Sequence, residues 1–164
     1  MTDGPYRLLD YRAWARERVL AAVEQLRPEL FVAPVVSSFS SIRDTLVHLL
    51  WADAVWTSRI KGAPFSVRLD PDDFPNVQAL KKRWDPLDED LNMSVKNLVE
   101  SVTNPTISYQ TTKGEKYVQP LYQIVQHLVN HQTYHLGQVA AMIRQLGGKP
   151  PSIDLIEFDR ISQN

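Results

Sequence analysis

Residues 123–138 read QIVQHLVNHQTYHLGQ, and this stretch decides both the fold class and where chemistry is to be sought. It carries three of the four histidines, His127, His131 and His135, each four residues from the next. On a helix that spacing stacks side chains about one turn apart on nearly one face. Leu121, Ile124, Leu128, Val139, Met142 and Leu146 recur with the same period and form an apolar stripe. At roughly 100° per residue, His135 falls inside the stripe and His131 on its edge. His127 falls outside it, beside Gln123 and Tyr134. The segment reads as an amphipathic helix that turns two imidazoles inward and a third toward its flank.

Imidazoles in an apolar seam need partners, since a buried polar nitrogen left alone costs on the order of 1–3 kcal/mol. Two readings meet that need. The histidines are hydrogen-bonded core residues, or they bind a divalent metal, which neutral imidazole does well. A metal requires at least a third ligand, from His48, the remaining histidine, or from Asp or Glu. The zinc-protease pattern H-E-x-x-H has similar spacing, but Gln132 stands where that chemistry needs a glutamate base. Protease activity of that type is not expected.

Composition narrows the classes further. A chain of 164 residues suits one domain, here taken as 1–164, with room for a hydrophobic core. Its 18 basic and 19 acidic residues give a net charge of −1 with no like-charge block. That leaves no electrostatic footprint for nucleic acid or an anionic membrane. With no cysteine, disulfides, thiolate metal sites and cysteine nucleophiles are excluded. The opening MTDGPYRLLDYRAWARER lacks an apolar signal core, and no run approaches the ~18 apolar residues of a membrane span. A cytoplasmic location is expected.

Helical periodicity recurs along the chain. A first helix is expected over Pro5–Leu26, with Asp3 as cap and Trp14 as a core residue. A second runs over Ser41–Lys61, capped by Ser40 or Ser41 and ended by Gly62 and Pro64. His48 sits on one of its apolar faces. Ala63–Pro75 reads as an irregular crossover. A third helix covers Asn76–Ser101, with Pro86 expected to kink or break it and a charged outer face expected to meet water. Around Gly114, ISYQT and KYV suggest a short hairpin or two extended arms. The fourth helix runs from about Pro120 to Leu146, stopped by Gly147 and Gly148, and the apolar tail packs back. The expected fold is all-α: an up-and-down four-helix bundle with a short hairpin or extended insert before the last helix.

LLDYRAWARERVL, SIRDTLVHLLWADAVW and HLVNHQTYHLGQV, in this order, resemble the DinB-like family of metalloenzymes over nearly the whole chain. The resemblance implies a four-helix bundle, often a homodimer, with a divalent metal on three histidines. It assigns the ligands to His48 in the second helix and to His131 and His135 in the fourth. His127 occurs in the family's motif but is not usually a ligand. Where the family commonly has Arg after the last histidine, this chain has Leu136.

Three neutral imidazoles leave a coordination position for water or substrate. Such an ion, zinc or nickel, would activate water, polarise a carbonyl or bind a thiolate. Trp51, Asn130, Tyr134 and Gln138 are candidates for walls or orienting groups, and Tyr134 and His127 for proton transfer. One expectation is a metal-dependent hydrolase or thiol-dependent S-transferase acting on a small molecule. The alternative is a non-enzymatic stress-response protein whose metal is a structural clip. A nucleic-acid partner finds no support in the charge balance.

Overall fold

The computed structural model describes residues 5–65 and 68–162. Five helices and one hairpin account for most of them: α1 (Pro5–Glu24), α2 (Ile42–Ile60), α3 (Val77–Ser101), β1 (Thr106–Gln110), β2 (Lys116–Pro120), α4 (Leu121–Gln145) and α5 (Leu155–Ile161). Helix starts follow from local chemistry. Ser41 Oγ accepts from the Asp44 N–H at 3.0 Å, and Asn76 Oδ1 accepts from the Ala79 N–H at 2.9 Å. These bonds satisfy amides that the first turn leaves without partners. Gly147, in the left-handed region with φ 84°, ends α4. The Asp3 cap expected for α1 lies outside the described residues.

Two buried clusters fix the direction of each long helix. One joins Val19–Val23 of α1, Ile42–Leu50 of α2, Val77–Trp84 of α3 and Leu136–Ile143 of α4. The other joins Leu9, Ile60, Leu91 with Val95, and Leu121–Leu128 of the same helices. At one end of the molecule thus lie the C-terminal parts of α1 and α4 with the N-terminal parts of α2 and α3. Helices α2 and α3 run parallel, as do α1 and α4. In contact, α1 meets α3 and α4, and α2 meets the same two.

The simple up-and-down order is therefore corrected. Short loops force neighbouring helices antiparallel, but the link 61–76 is long and returns along the bundle. At 1.5 Å per residue α2 is roughly 28 Å long, which about nine extended residues can span. Arg43 near the start of α2 pairs at 2.8 Å with Asp72 near the end of the link. With a fifth helix and a hairpin added, the fold is mostly helical without being a plain four-helix bundle. No described helix is long and apolar enough to cross a membrane.

Two further expectations are narrowed. The break considered at Pro86 does not occur, since helix α3 continues through it. Pro86 and Lys82 are both exposed, so water can take the carbonyl that the missing N–H leaves free. The charged side of α3 is not all solvated: Asp88 is buried, paired with Arg12 and Arg16. The remaining pieces follow the sequence. The hairpin is antiparallel, with Ser108 opposite Val118, and lies against α2 and α4. Helix α5 packs on α1, where Phe158 meets Tyr11 and Trp14 at ring separations of 5.9 and 5.6 Å.

Candidate metal centre

Helices α2 and α4 are antiparallel neighbours, and this places the middle of one against the middle of the other. His48 of α2 there meets His131 and His135 of α4. Nε2 of His48 lies 3.3 Å from Nε2 of His131. One ligand atom from each of the three lies within 4.8 Å of the others. Around a tetrahedral ion with metal–nitrogen distances of about 2.0–2.1 Å, neighbouring nitrogens sit about 3.3–3.4 Å apart. The His48–His131 separation already has that value. Burial follows the angular order read from the stripe: His135 is buried, His131 half-buried and His127 exposed.

The imidazoles are held from behind. Gln138 Oε1 lies 2.8 Å from Nδ1 of His135, and its amide nitrogen donates to Ser38 Oγ at 3.1 Å. A carbonyl oxygen only accepts, so the His135 proton sits on Nδ1 and the Nε2 lone pair is free. Phe39 stacks on His48 at 4.6 Å and meets His135 edge-on at 5.7 Å. Trp51 lies beside His48 at 6.3 Å.

Burial holds all the affected imidazoles toward the neutral form. His131 is pushed down to about 4, first by desolvation and then by His135, His48, His127 and Arg12. His48 is lowered by desolvation and then by His135. Neutral imidazole is the form that donates a lone pair to a metal. A hydrogen bond between His48 and His131 would satisfy those two nitrogens, yet it leaves Nε2 of His135 with no protein partner among the described residues. The donor set therefore fits a divalent ion, and no carboxylate joins the cluster among the described residues.

One side of the cluster opens to a cleft of about 240 Å³. His48 and His131 line it, with Trp51, Trp56, Arg59, His127 and Thr112. Thr112 comes from the turn between β1 and β2, so the tip of the hairpin contributes to the lining.

Behind the cluster lies a second set of buried polar groups. Arg12 pairs with Asp53 and, at 2.9 Å, with Asp88; Arg16 pairs with Asp88 and, at 3.1 Å, with Asp85. Trp84 Nε1 donates to Asp53 at 2.6 Å, and Gln132 Nε2 donates to the Arg12 carbonyl at 2.6 Å. Gln132, at the position of the zinc-protease base, thus faces α1 rather than the histidines. The network ties all four long helices together at the level of the site.

The other sequence candidates separate clearly. His127 lines the cleft, its ring 5.7 Å from that of His131. Tyr134 is 64% exposed and packs on the edge of His135, away from the cleft lining. Asn130 is exposed. Leu136 is fully buried in the apolar cluster, so it fills the core instead of facing the cleft. Phe39 and Ser38 escaped the sequence reading because they sit in a loop without periodicity; the single aromatic in the serine run SSFSS was the only signal. Arg59 and Thr112 carried none.

Comparison with known proteins supplies the family and a likeness of fold. The model of the DinB family matches residues 1–164. The chain is 25% identical over 152 residues to Protein DinB of Bacillus subtilis (strain 168), covering 90% of this chain and 88% of that one. Its fold resembles the crystal structure of a DinB-like protein from Bacillus cereus ATCC 10987, with a TM-score of 0.64 and 16% identity. That match covers 88% of this chain and 94% of the other. The chain belongs to the DinB family.

Proposed function

We propose that His48, His131 and His135 hold one divalent metal ion, zinc or nickel, and that the protein is a metal-dependent enzyme acting on a small molecule. The observation that carries this reading is the convergence of three imidazoles, with no fourth protein ligand among the described residues, beside a cleft that His48 and His131 line. A bound ion would supply Lewis-acid chemistry, suited to hydrolysis or to transfer of a thiol.

The chain's own residues support that chemistry in separate ways. Gln138 orients His135, and Phe39 and Trp51 cover the imidazoles and limit water around them. His127 lines the cleft, and partial desolvation and then Arg59 lower its pKa, which favours a neutral ring whose nitrogen can take up a proton there. Tyr134 faces solvent and has no such place. The same proposal takes residues 1–164 as one cytoplasmic domain and includes the homodimer that the family resemblance implies.

The test compares metal-loaded and chelated protein. Hydrolysis of a panel of small esters and amides, and transfer of a thiol to an electrophile, are measured with and without zinc or nickel. We expect one activity that returns with metal and is lost in His48→Ala. Circular dichroism and thermal melts run alongside. The helices are packed through apolar clusters independent of the imidazoles, so the chelated protein should stay helical and cooperative. Metal then adds the linkage term, about 3–4 kcal/mol at a hundred- to a thousandfold excess over Kd. Loss of most helical signal on chelation would contradict the enzyme reading and make the ion a structural clip.

A further inference from the structure

Arg59 lines the cleft, and among the described residues no carboxylate pairs with it: its Nη2 donates to the Gln110 carbonyl at 3.1 Å. Its guanidinium lies over the Trp56 ring at 4.6 Å and over Tyr109 at 4.9 Å. Two aromatic faces hold the group in place, and its other N–H groups remain for a ligand. Elsewhere the chain matches its half-buried or buried arginines with acids: Arg12, Arg16 and Arg43 each pair with at least two. A half-buried arginine held in place without an acid is the arrangement that recognises an anion.

Its neighbours make the same case. Arg59 lines the cleft shared with His48 and His131, and also an adjoining hollow of about 480 Å³ bounded by Gly62–Phe65 and 108–112. Within the cleft, Thr112 offers a hydroxyl. His127, 5.2 Å from the Trp56 ring and close enough to feel the arginine's charge, offers a ring nitrogen. Between this polar end and the three histidines run Trp51, Ala52, Val55 and Trp56, which present mainly apolar surface. The cleft thus has an apolar wall with a cation at one end and the imidazole cluster at the other.

We propose that Arg59, assisted by Thr112 and His127, forms a carboxylate subsite, so that the protein's substrate is a small organic acid whose reacting group reaches the three-histidine centre. One fixed positive charge matches one negative charge, and a planar guanidinium edge matches a planar carboxylate. This inference rests on the proposed metal centre for the position of the reacting group, but not for recognition of the carboxylate.

The experiment uses 3-mercaptopropionate and 4-mercaptobutyrate, each compared with its uncharged primary amide. Binding to the full chain is measured by calorimetry, once with zinc bound and once after chelation. Wild-type protein should prefer at least one acid over its amide by about tenfold or more, the range for a charge-assisted hydrogen bond. Arg59→Gln should reduce that preference to within about twofold while leaving amide affinity and zinc content unchanged. Arg59→Lys keeps the charge without the fork and should fall between the two. Thermal melts show whether each variant keeps its fold. Because Arg59 holds no metal, the preference should persist in chelated protein at weaker overall affinity. Equal binding of acid and amide by wild type overturns the proposal. So does a preference retained in Arg59→Gln, since the carboxylate then sits elsewhere, for instance on the ion. Failure to bind zinc with the preference intact defeats the metal reading alone.

Discussion

Two groups of polar side chains are buried side by side in this molecule, and they are finished differently. In the Arg12–Asp53–Asp88–Arg16 network, each charge meets an opposite charge inside the protein, and Trp84 and Gln132 add hydrogen bonds. In the His48–His131–His135 cluster, hydrogen bonding behind His135 is complete, but the nitrogens in front converge on one another. The first arrangement answers every charge within the fold, although Arg12 Nε, Arg16 Nε and Gln132 Oε1 are buried without a hydrogen-bond partner. The second holds lone pairs ready for something that is not protein. Burial alone does not separate structure from function here; what differs is that the charges of the network are paired across helices while the lone pairs of the cluster converge on one point.

If the network is structural, breaking it should give the largest effect on stability. Asp53→Ala leaves Arg12 buried with one partner fewer and Trp84 without its acceptor. A loss of about 3–5 kcal/mol is expected in denaturant unfolding, as for other buried pairs broken on one side. The variant should still bind metal whenever it is folded. A loss under about 1 kcal/mol would mean that water or a rearranged Asp88 replaces Asp53, and the contrast between the two regions would weaken.

The histidine cluster should respond to pH instead. His131 has a folded-state pKa of about 4, below its ordinary 6.5, because desolvation and the neighbouring imidazoles disfavour the cation. Between these values the unfolded chain binds more protons, so stability of the metal-free protein rises with pH. This contribution is fully present above about 6.5 and is lost as pH falls through about 4. Denaturant midpoints of chelated protein should fall across this window, and His131→Asn should flatten the slope. Metal affinity should weaken as pH falls toward about 4, where protons begin to compete for the same nitrogens in the folded protein. An affinity that does not weaken as pH falls through about 4 would contradict imidazole ligation.

The smallest effect belongs to the hydrogen bond behind His135. Gln138→Ala frees the ring to turn and to change tautomer, and should lower metal affinity by about tenfold with little change in melting temperature. Gln138→Glu, which keeps the acceptor, should restore most of it. Equal affinity in all three proteins would remove Gln138 from the site.

Much of this contrast was written in the chain, though unevenly. The stripe of α4 predicts its boundaries and the relative burial of its histidines, because apolar spacing is a local signal. The Ser41 and Asn76 starts are legible for the same reason. The direction of α3 is not, since periodicity is indifferent to whether a helix runs up or down and the link 61–76 is long enough for either. Asp88 reads as surface because it lies in a charged run; its partner Arg12 is 76 residues away. Phe39, Arg59 and Thr112 reach the site from loops and helix ends, where no period marks which way a side chain faces.

The proposed metal centre requires that three imidazoles, and not the neighbouring fourth, hold one ion. Elemental analysis of purified, zinc- or nickel-loaded protein tests it most directly, in wild type and in His48→Ala, His131→Ala, His135→Ala and His127→Ala. About one ion per chain is expected in wild type and His127→Ala, and below about a tenth of one in each of the other three. Full occupancy in His48→Ala, or loss of the ion in His127→Ala, would contradict it.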